Sequence, residues 1–232
     1  MTRPLQAIVF DFDGVIANSE PLHLRAFQRV LAEEGVALSS GDYYSRYLGY
    51  DDAGMFRAVA RDRGIDMSGD EVAALVERKS AALQRMLNGH AVLFPGAREF
   101  VREAAAAVPI AIASGALRRE IDEVIEAAGM IGLFQAIVAS GDTLESKPSP
   151  APYRLAFERL KQSTGRDLEP SRCVAIEDSR WGLESAHGAG LRLVGVMHTY
   201  DAGELAGAEL VVSDLKALTL PELDRLCASE RA

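Results

Sequence analysis

Short apolar runs recur along this chain of 232 residues, and stretches with a helical pattern separate them. Runs this apolar are typical of strands that helices cover on both faces, as in a parallel sheet. Strands and helices that alternate in this way form α/β folds with right-handed crossovers. The pattern therefore predicts an α/β fold on a parallel sheet, with strands at residues 7–10, 110–113, 136–139, 173–176, 193–196 and 210–212.

One connection in this pattern is far longer than the single helix that a crossover needs. The first run ends at residue 10 and the second begins at residue 110, and most of the interval has helical spacing. Ser68 and Glu71 have the spacing of a capping box, ahead of a helix that we expect to end at Leu87. We therefore predict a small all-helical domain, residues 18–92, inserted into a core domain of residues 1–17 and 93–232.

Two carboxylates follow the first apolar run, at Asp11 and Asp13, and Gly14 comes next. Residues two apart on a strand point to the same side, so both side chains should lie at the carboxyl edge of the sheet. Open α/β sheets bind their ligands at that edge. Like charges held this close repel, so the site should hold a cation or keep one acid protonated. The other interpretation is an acidic surface turn, because short motifs match by chance.

Polar side chains also follow three of the later runs. Ser114 follows the second run, Lys147 follows the third after a short loop, and Glu177 and Asp178 follow the fourth. A parallel sheet brings all of these positions to the edge that carries Asp11. Each residue also has an ordinary role: a serine can cap a helix, a lysine is usually solvated, and a glutamate can accept from neighbouring backbone N–H groups.

Charge and composition limit the partners of this chain. The net charge of −9 argues against nucleic acid and anionic membranes, which bind basic patches. No apolar run approaches the ~20 residues that cross a bilayer, and the N-terminus lacks the pattern of a signal peptide. Cys173 and Cys227 lie far apart without metal-ligand spacing. We expect a cytoplasmic protein that binds neither nucleic acid nor membrane, and no protein partner is evident.

In these motifs and their order, the chain resembles the haloacid dehalogenase superfamily. The matching stretches are Asp11-Phe-Asp-Gly-Val, Ser114, Lys147 and Glu177-Asp178. The chain is most similar to the β-phosphoglucomutase-like group, through its Lys-Pro-x-Pro and Glu-Asp-Ser-x-x-Gly stretches and the helix that carries His23. The resemblance covers essentially the whole chain. It implies a Rossmann-like core with the helical insert as its cap.

The resemblance implies phosphoryl transfer through an aspartyl phosphate. Asp11 is then the nucleophile, and Asp13 is the general acid for the leaving group and the general base for water. A hard cation such as Mg²⁺ takes oxygen ligands. The implied ligands are the carboxylates of Asp11 and Asp178 and the backbone carbonyl of Asp13, with Glu177 as a further ligand or an orienting residue.

The resemblance also assigns the residues that bind the phosphate. Ser114 and the backbone N–H groups of Gly115 and Ala116 would bind its oxygens at a helix start. Lys147 would neutralise the phosphoryl group and Asp11. His23 is expected to contact Asp13 near the hinge of the cap.

These residues together predict a Mg²⁺-dependent phosphohydrolase of a small phosphorylated metabolite, such as a sugar phosphate or a similar phosphomonoester. A β-phosphoglucomutase-like mutase is the alternative. That group holds a second phosphate with an arginine soon after a cap glycine, whereas Gly49 here precedes Asp51 and Asp52, which repel a phosphate. Four residues are candidates for a compensating cation: Arg46, Arg57, Lys79 and Arg118.

A hydrolytic dehalogenase and a non-catalytic phosphate-binding protein rank below these two functions. A carboxylate at Asp13 and a metal site belong to the phosphoryl-transfer branch, and no catalytic residue is missing. The cap should determine specificity, but its residues do not identify the substrate or the oligomeric state. Trp181 and a tyrosine cluster have two interpretations, packing or substrate contact; the cluster is Tyr43, Tyr44, Tyr47 and Tyr50.

Overall fold

The structure is a computed structural model that describes residues 3–87 and 92–229. Its strands are β1 (Ala7–Phe10), β2 (Ile110–Ala113), β3 (Ala136–Val138), β4 (Cys173–Glu177), β5 (Arg192–Val196) and β6 (Leu210–Val212). In this part of the chain they form one parallel sheet in the order β3-β2-β1-β4-β5-β6. Each strand lies within one residue of its predicted bounds. The predicted parallel α/β fold is confirmed.

Helices of the core lie on both faces of this sheet. They are α5 (Ala97–Ala107), α6 (Arg118–Ala127), α7 (Ala151–Thr164), α8 (Arg180–Gly188) and α9 (Leu220–Ala228), with a 3₁₀ turn at Pro170–Arg172. All residues of β1, β2, β4 and β5 are buried, which explains why the sequence shows continuous apolar runs rather than alternation. Among the described helices, none has the length and apolarity needed to span a membrane.

The described residues between β1 and α5 are mainly helical. It contains α1 (Glu20–Glu33), the short helix α2 (Ser40–Asp42), a π-helical turn at Tyr43–Tyr47, α3 (Asp52–Arg63) and α4 (Gly69–Leu87). The predicted capping box at the start of α4 is present, since the N–H of Ser68 donates to Glu71 and that of Glu71 donates to the Ser68 hydroxyl. These helices bury an apolar cluster of their own, which includes Phe27, Tyr43 and Phe56. We refer to residues 18–92 as the cap.

The chain enters and leaves the cap at neighbouring points. The N–H of Asn18 donates to the carbonyl of Val92 at 2.8 Å, and the N–H of Phe94 donates to the carbonyl of Ile16 at 3.0 Å. Residues 88–91, which follow the predicted end of α4 at Leu87, lie outside the described residues. The segment that enters the cap follows directly after β1, and the segment that leaves the cap pairs with it. The helices of the cap therefore lie over the carboxyl edge of the sheet.

Candidate active site

The carboxyl ends of three neighbouring strands and one loop meet beneath the cap. Asp11 follows β1, Ser114 follows β2, Lys147 lies in the loop after β3, and Asp178 follows β4. All four line a cavity of about 370 Å³, together with residues of α1, of the 48–53 segment and of the loops 140–147 and 199–200. The parallel sheet therefore brings together the residues that the sequence places at its edge.

Lys147 joins two buried carboxylates at the base of this cavity. Its Nζ donates to Oδ1 of Asp11 at 2.6 Å and to Oε1 of Glu177 at 2.6 Å. Burial disfavours the charged ammonium, but Asp11 and Glu177 outweigh that effect and raise the pKa of Lys147 above its ordinary value. Lys147 is therefore a fixed positive charge beside Asp11, not a solvated surface lysine.

Glu177 has its hydrogen-bonding capacity filled by the protein. Oε1 accepts from Lys147 and from the Tyr153 hydroxyl at 2.9 Å. Oε2 accepts from the N–H of Asp178 and from the N–H and hydroxyl of Ser179. Of the two roles considered for Glu177, these contacts favour orientation of Lys147 over coordination of a metal. Ser179 also caps α8, because its hydroxyl accepts from the N–H of Gly182 at 3.1 Å.

A divalent cation fits the group of oxygens beside Lys147. Asp11, Glu177 and Asp178 each offer a carboxylate oxygen, and these oxygens lie within 4.8 Å of one another. Burial raises the pKa of Asp11 to about 7 and that of Asp178 well above its ordinary value, because one lysine does not balance three buried carboxylates. Oxygen donors with excess negative charge are the ligand set of a hard cation. Of these three carboxylates, those of Asp11 and Asp178 have contacts that leave them available to coordinate the cation.

Gly14 lets the backbone after β1 press against Asp178. Its φ is +85°, and a Cβ at this position would lie 1.9 Å from Oδ2 of Asp178. Only glycine allows this approach in the left-handed region. The Asp13–Gly14 backbone therefore lies against the acidic group, where the Asp13 carbonyl is expected to serve as a ligand.

The side chain of Asp13 points away from the acidic group and toward the cap. The Ser19 hydroxyl donates to its Oδ1, and Nε2 of His23 lies 3.6 Å from the same oxygen. Burial, and then the nearby Glu20 carboxylate, raise the pKa of Asp13 to about 7. A carboxyl group with that pKa can donate and accept a proton near neutral pH.

His23 connects Asp13 to a buried ion pair in the cap. Lys79 Nζ lies 2.7 Å from Nδ1 of His23 and 2.9 Å from Asp52, and the lysine is fully buried. An ammonium has donors only, so Nδ1 accepts and the proton of the neutral ring is on Nε2, facing Asp13. Burial and then Lys79 lower the pKa of His23 well below its ordinary value. The expected proximity of His23 to Asp13 is thus present in the structure.

The segment after β2 differs from the sequence-based expectation in one respect. Helix α6 begins at Arg118, so Ser114 is neither its N-cap nor at its first turn. The Ser114 hydroxyl instead accepts from the N–H of Ala116 at 3.0 Å, which engages one of the N–H groups expected to bind phosphate. Ser114, Gly115 and Ala116 all line the cavity.

The cap contacts the core at the mouth of the cavity. The Ser146 hydroxyl donates to Oδ2 of Asp51 at 2.7 Å, while Oδ1 of Asp51 caps α3. A Cβ on Gly49 would lie 3.1 Å from the Trp181 ring, so this cap segment packs closely on the core. Trp181 lines the cavity as well, so the structure fits both interpretations of this residue.

The tyrosine cluster divides between packing and the cavity. Tyr43 and Tyr47 are buried in the apolar cluster of the cap, and Tyr47 donates to Asp62 there. Tyr43 donates to Glu20 and also lines the cavity, and so does the half-exposed Tyr50. Packing therefore accounts for Tyr47, while two tyrosines are available to a substrate.

Sequence reasoning missed three residues that hold the predicted ones in place. They are Ser19, which binds Asp13, and Tyr153 and Glu20, whose contacts are described above. A single serine, tyrosine or glutamate carries no motif. Their contacts join residues 6, 24 and 23 positions apart in the chain, so only the fold reveals them.

The carboxyl edge of the parallel sheet holds a buried lysine and an acidic group, and a helical cap lies over them. This arrangement is that of an α/β enzyme with a covered active site. The model of the family described as haloacid dehalogenase-like hydrolase matches residues 8–196. The chain belongs to this family.

Relatives and a solved structure agree with this assignment over almost their full lengths. CbbY of Rhodobacter capsulatus is 34% identical over 235 residues, with 94% of this chain and 99% of that protein covered. The phosphorylated carbohydrates phosphatase of Thermotoga maritima is 28% identical over 223 residues, covering 94% and 95%. The crystal structure of CbbY from Rhodobacter sphaeroides in complex with xylulose-(1,5)bisphosphate has a TM-score of 0.84 and 29% identity, covering 95% of this chain and 99% of that chain.

Proposed function

We propose that this protein is a Mg²⁺-dependent phosphohydrolase that cleaves a small phosphorylated metabolite through an aspartyl phosphate. The observation that carries the proposal is the position of Asp11 at the base of a covered cavity, where it contacts a fixed ammonium group and belongs to a group of carboxylates close enough together to hold a metal ion. Phosphoryl transfer depends on positioning and on positive charge around the equatorial oxygens. Lys147 supplies one such charge, and Mg²⁺ would supply the rest when bound by Asp11, Asp178 and the Asp13 carbonyl.

In the first step, a carboxylate oxygen of Asp11 forms a bond to phosphorus while the ester oxygen leaves. Asp13 gives its proton to that oxygen, so the alcohol departs neutral. Ser19 holds the Asp13 carboxyl group in place by a hydrogen bond. Ser114 and Gly115 are proposed to bind the phosphate oxygens. Lys147 favours the ionised form of Asp11 by lowering its pKa, and it offsets the charge of the phosphoryl group.

In the second step, the ionised Asp13 accepts a proton from a water molecule, whose oxygen forms a bond to phosphorus. The bond from phosphorus to Asp11 breaks, and the products are inorganic phosphate and the original carboxylate. The cap limits the access of bulk water, which would otherwise compete before the leaving group has departed. The hydrogen bond between Ser146 and Asp51 joins cap and core at the mouth of the cavity.

The relatives support a phosphorylated carbohydrate as the substrate class. One is named a phosphorylated carbohydrates phosphatase, and the CbbY structure holds a sugar bisphosphate. No contact in the described residues favours a mutase, since the cap lysine Lys79 is engaged with Asp52. A dehalogenase would have no use for the acid at Asp13.

Phosphate release from a panel of sugar phosphates, with Mg²⁺ and with EDTA, tests this proposal. We expect release that needs the metal and that falls roughly a thousandfold or more in Asp11→Asn, because the amide is not a nucleophile. Asp70→Asn, a change of the same kind on an exposed position of α4, should retain full activity. Turnover that survives EDTA, or that Asp11→Asn retains while folded by circular dichroism, would contradict the proposal.

A further inference from the structure

The cavity is markedly acidic on its cap side. Within the described residues, six carboxylates line it against a single lysine or arginine, Lys147, which lies at the base. Asp11, Asp13 and Asp178 belong to the catalytic end. The others are Glu20, Asp51 and Asp52, at the end where the remainder of a substrate would lie.

The cap lysine Lys79 does not line the cavity. Lys79 is fully buried behind Asp52 and His23, and its Nζ lies 4.9 Å from the centre of the Phe27 ring. Asp52 thus offsets the charge of Lys79, and the ammonium group of Lys79 donates its hydrogen bonds to His23 and Asp52. A ligand in the cavity meets the Asp52 carboxylate first.

The other cations considered from the sequence do not compensate. None of Arg46, Arg57 and Arg118 lines the cavity. Arg46 pairs with Asp62 at 2.6 Å, and Arg118 pairs with Asp122 at 2.9 Å. A second phosphate would therefore lie against carboxylates, without the charged donors that bind phosphate strongly.

Neutral hydroxyl groups would fit the same surface well. Carboxylates accept hydrogen bonds from hydroxyls, and hydroxyl side chains both donate and accept. Besides Ser114 and Ser179, which adjoin the catalytic residues, seven hydroxyl side chains of the described residues line the cavity: Tyr43, Tyr50, Ser140, Thr143, Ser146, Thr199 and Tyr200.

We propose that this site selects phosphomonoesters whose remaining part is uncharged and rich in hydroxyls, that it rejects substrates with a second phosphate, and that Asp52 determines this selection. The inference rests on the proposed function, of which it names the substrate class. It also separates this chain from the CbbY structure that holds xylulose-(1,5)bisphosphate.

The test compares the binding of two ligands that differ by one phosphate. Xylulose 5-phosphate and xylulose 1,5-bisphosphate are titrated by calorimetry, with Mg²⁺, into the Asp11→Asn protein, which prevents turnover. The same titrations are made with Asp52→Asn added, which keeps the side-chain shape and frees the charge of Lys79. Asp70→Asn, the exposed acid on α4, serves as the charge-matched control.

We expect Asp52→Asn to strengthen binding of the bisphosphate about tenfold or more relative to the monophosphate, a factor that corresponds to about 1.4 kcal/mol. Asp70→Asn should leave the ratio unchanged.

Two outcomes would overturn the inference. One is a bisphosphate that binds the Asp11→Asn protein as tightly as the monophosphate or more tightly. The other is an Asp52→Asn variant in which the ratio of the two affinities does not change. Failure of the proposed function would appear separately, as the absence of metal-dependent phosphate release from the unaltered protein, because these titrations need no turnover.

Discussion

Replacing Lys147 with methionine would test how this site keeps carboxylates buried side by side. The ammonium lies 2.6 Å from an oxygen of Asp11 and of Glu177, and none of the three side chains is more than 15% exposed. Removal of one partner from a buried ion pair leaves the other charge uncompensated and costs about 3–5 kcal/mol. We expect the free energy of unfolding of metal-free Lys147→Met to fall by about that amount at pH 9.

The difference in unfolding free energy between the unaltered protein and Lys147→Met, here called the deficit, should decrease as the pH falls toward neutral. Burial raises the pKa of Asp11 to about 7 although Lys147 lowers it, so the variant has a still higher value. When the pKa of a carboxyl group is higher in the folded protein than in the unfolded chain, proton binding stabilises the folded protein at low pH. That stabilisation is lost as the pH rises through the folded pKa. At a pH between the pKa of Asp11 in the folded unaltered protein and its higher pKa in the folded variant, only the variant holds the proton. Within that range, each unit by which the pH falls reduces the deficit in unfolding free energy by about 1.4 kcal/mol. Below pH 7 both proteins hold it and the deficit is constant.

Urea denaturation in EDTA at pH 6, 7, 8 and 9 measures this dependence. Lys161→Met is a matched control, because Lys161 lies 3.5 Å from the fully exposed Asp167 and such pairs contribute little at any pH. A deficit for Lys147→Met below about 1 kcal/mol at pH 9 would refute the reasoning, since removal of one partner of a buried pair should cost more. So would a deficit that does not change between pH 9 and pH 7.

Two further substitutions test the backbone and the general acid. Gly14→Ala places a Cβ 1.9 Å from Asp178, whereas Gly35→Ala, at φ +73° with nothing within 4 Å, bears only the left-handed strain of about 1–2 kcal/mol. We expect Gly14→Ala to lower the melting temperature more and to weaken Mg²⁺ binding by calorimetry; equal losses of stability in the two variants would contradict the contact with Asp178. Asp13→Ala should lower kcat by roughly 100-fold or more with little change in KM, because it removes proton transfer and not substrate binding. An unchanged kcat in steady-state assays would remove Asp13 from that role.

The sequence by itself determined the fold class and the edge of the sheet where the chemistry lies. Continuous apolar runs specify strands that are covered on both faces, and parallel strands place their carboxyl ends together. The residues that follow those runs, Asp11, Ser114, Lys147 and Asp178, therefore had to meet at that edge, and they do so. The capping boxes and helix ends of the cap are local as well, since Ser68 and Glu71 lie in one turn.

Only the tertiary structure decided how these groups are paired. Lys147 reaches Glu177 and Asp11 across 30 and 136 residues, and Tyr153 on α7 completes the contacts of Glu177. Lys79 in the cap is the clearest example. The sequence makes it a candidate phosphate ligand, but in the fold it is fully buried against Asp52 and His23. Periodicity determines which face of an element is buried, but the direction and charge balance of a side chain depend on elements that are remote in the chain and that packing brings against it.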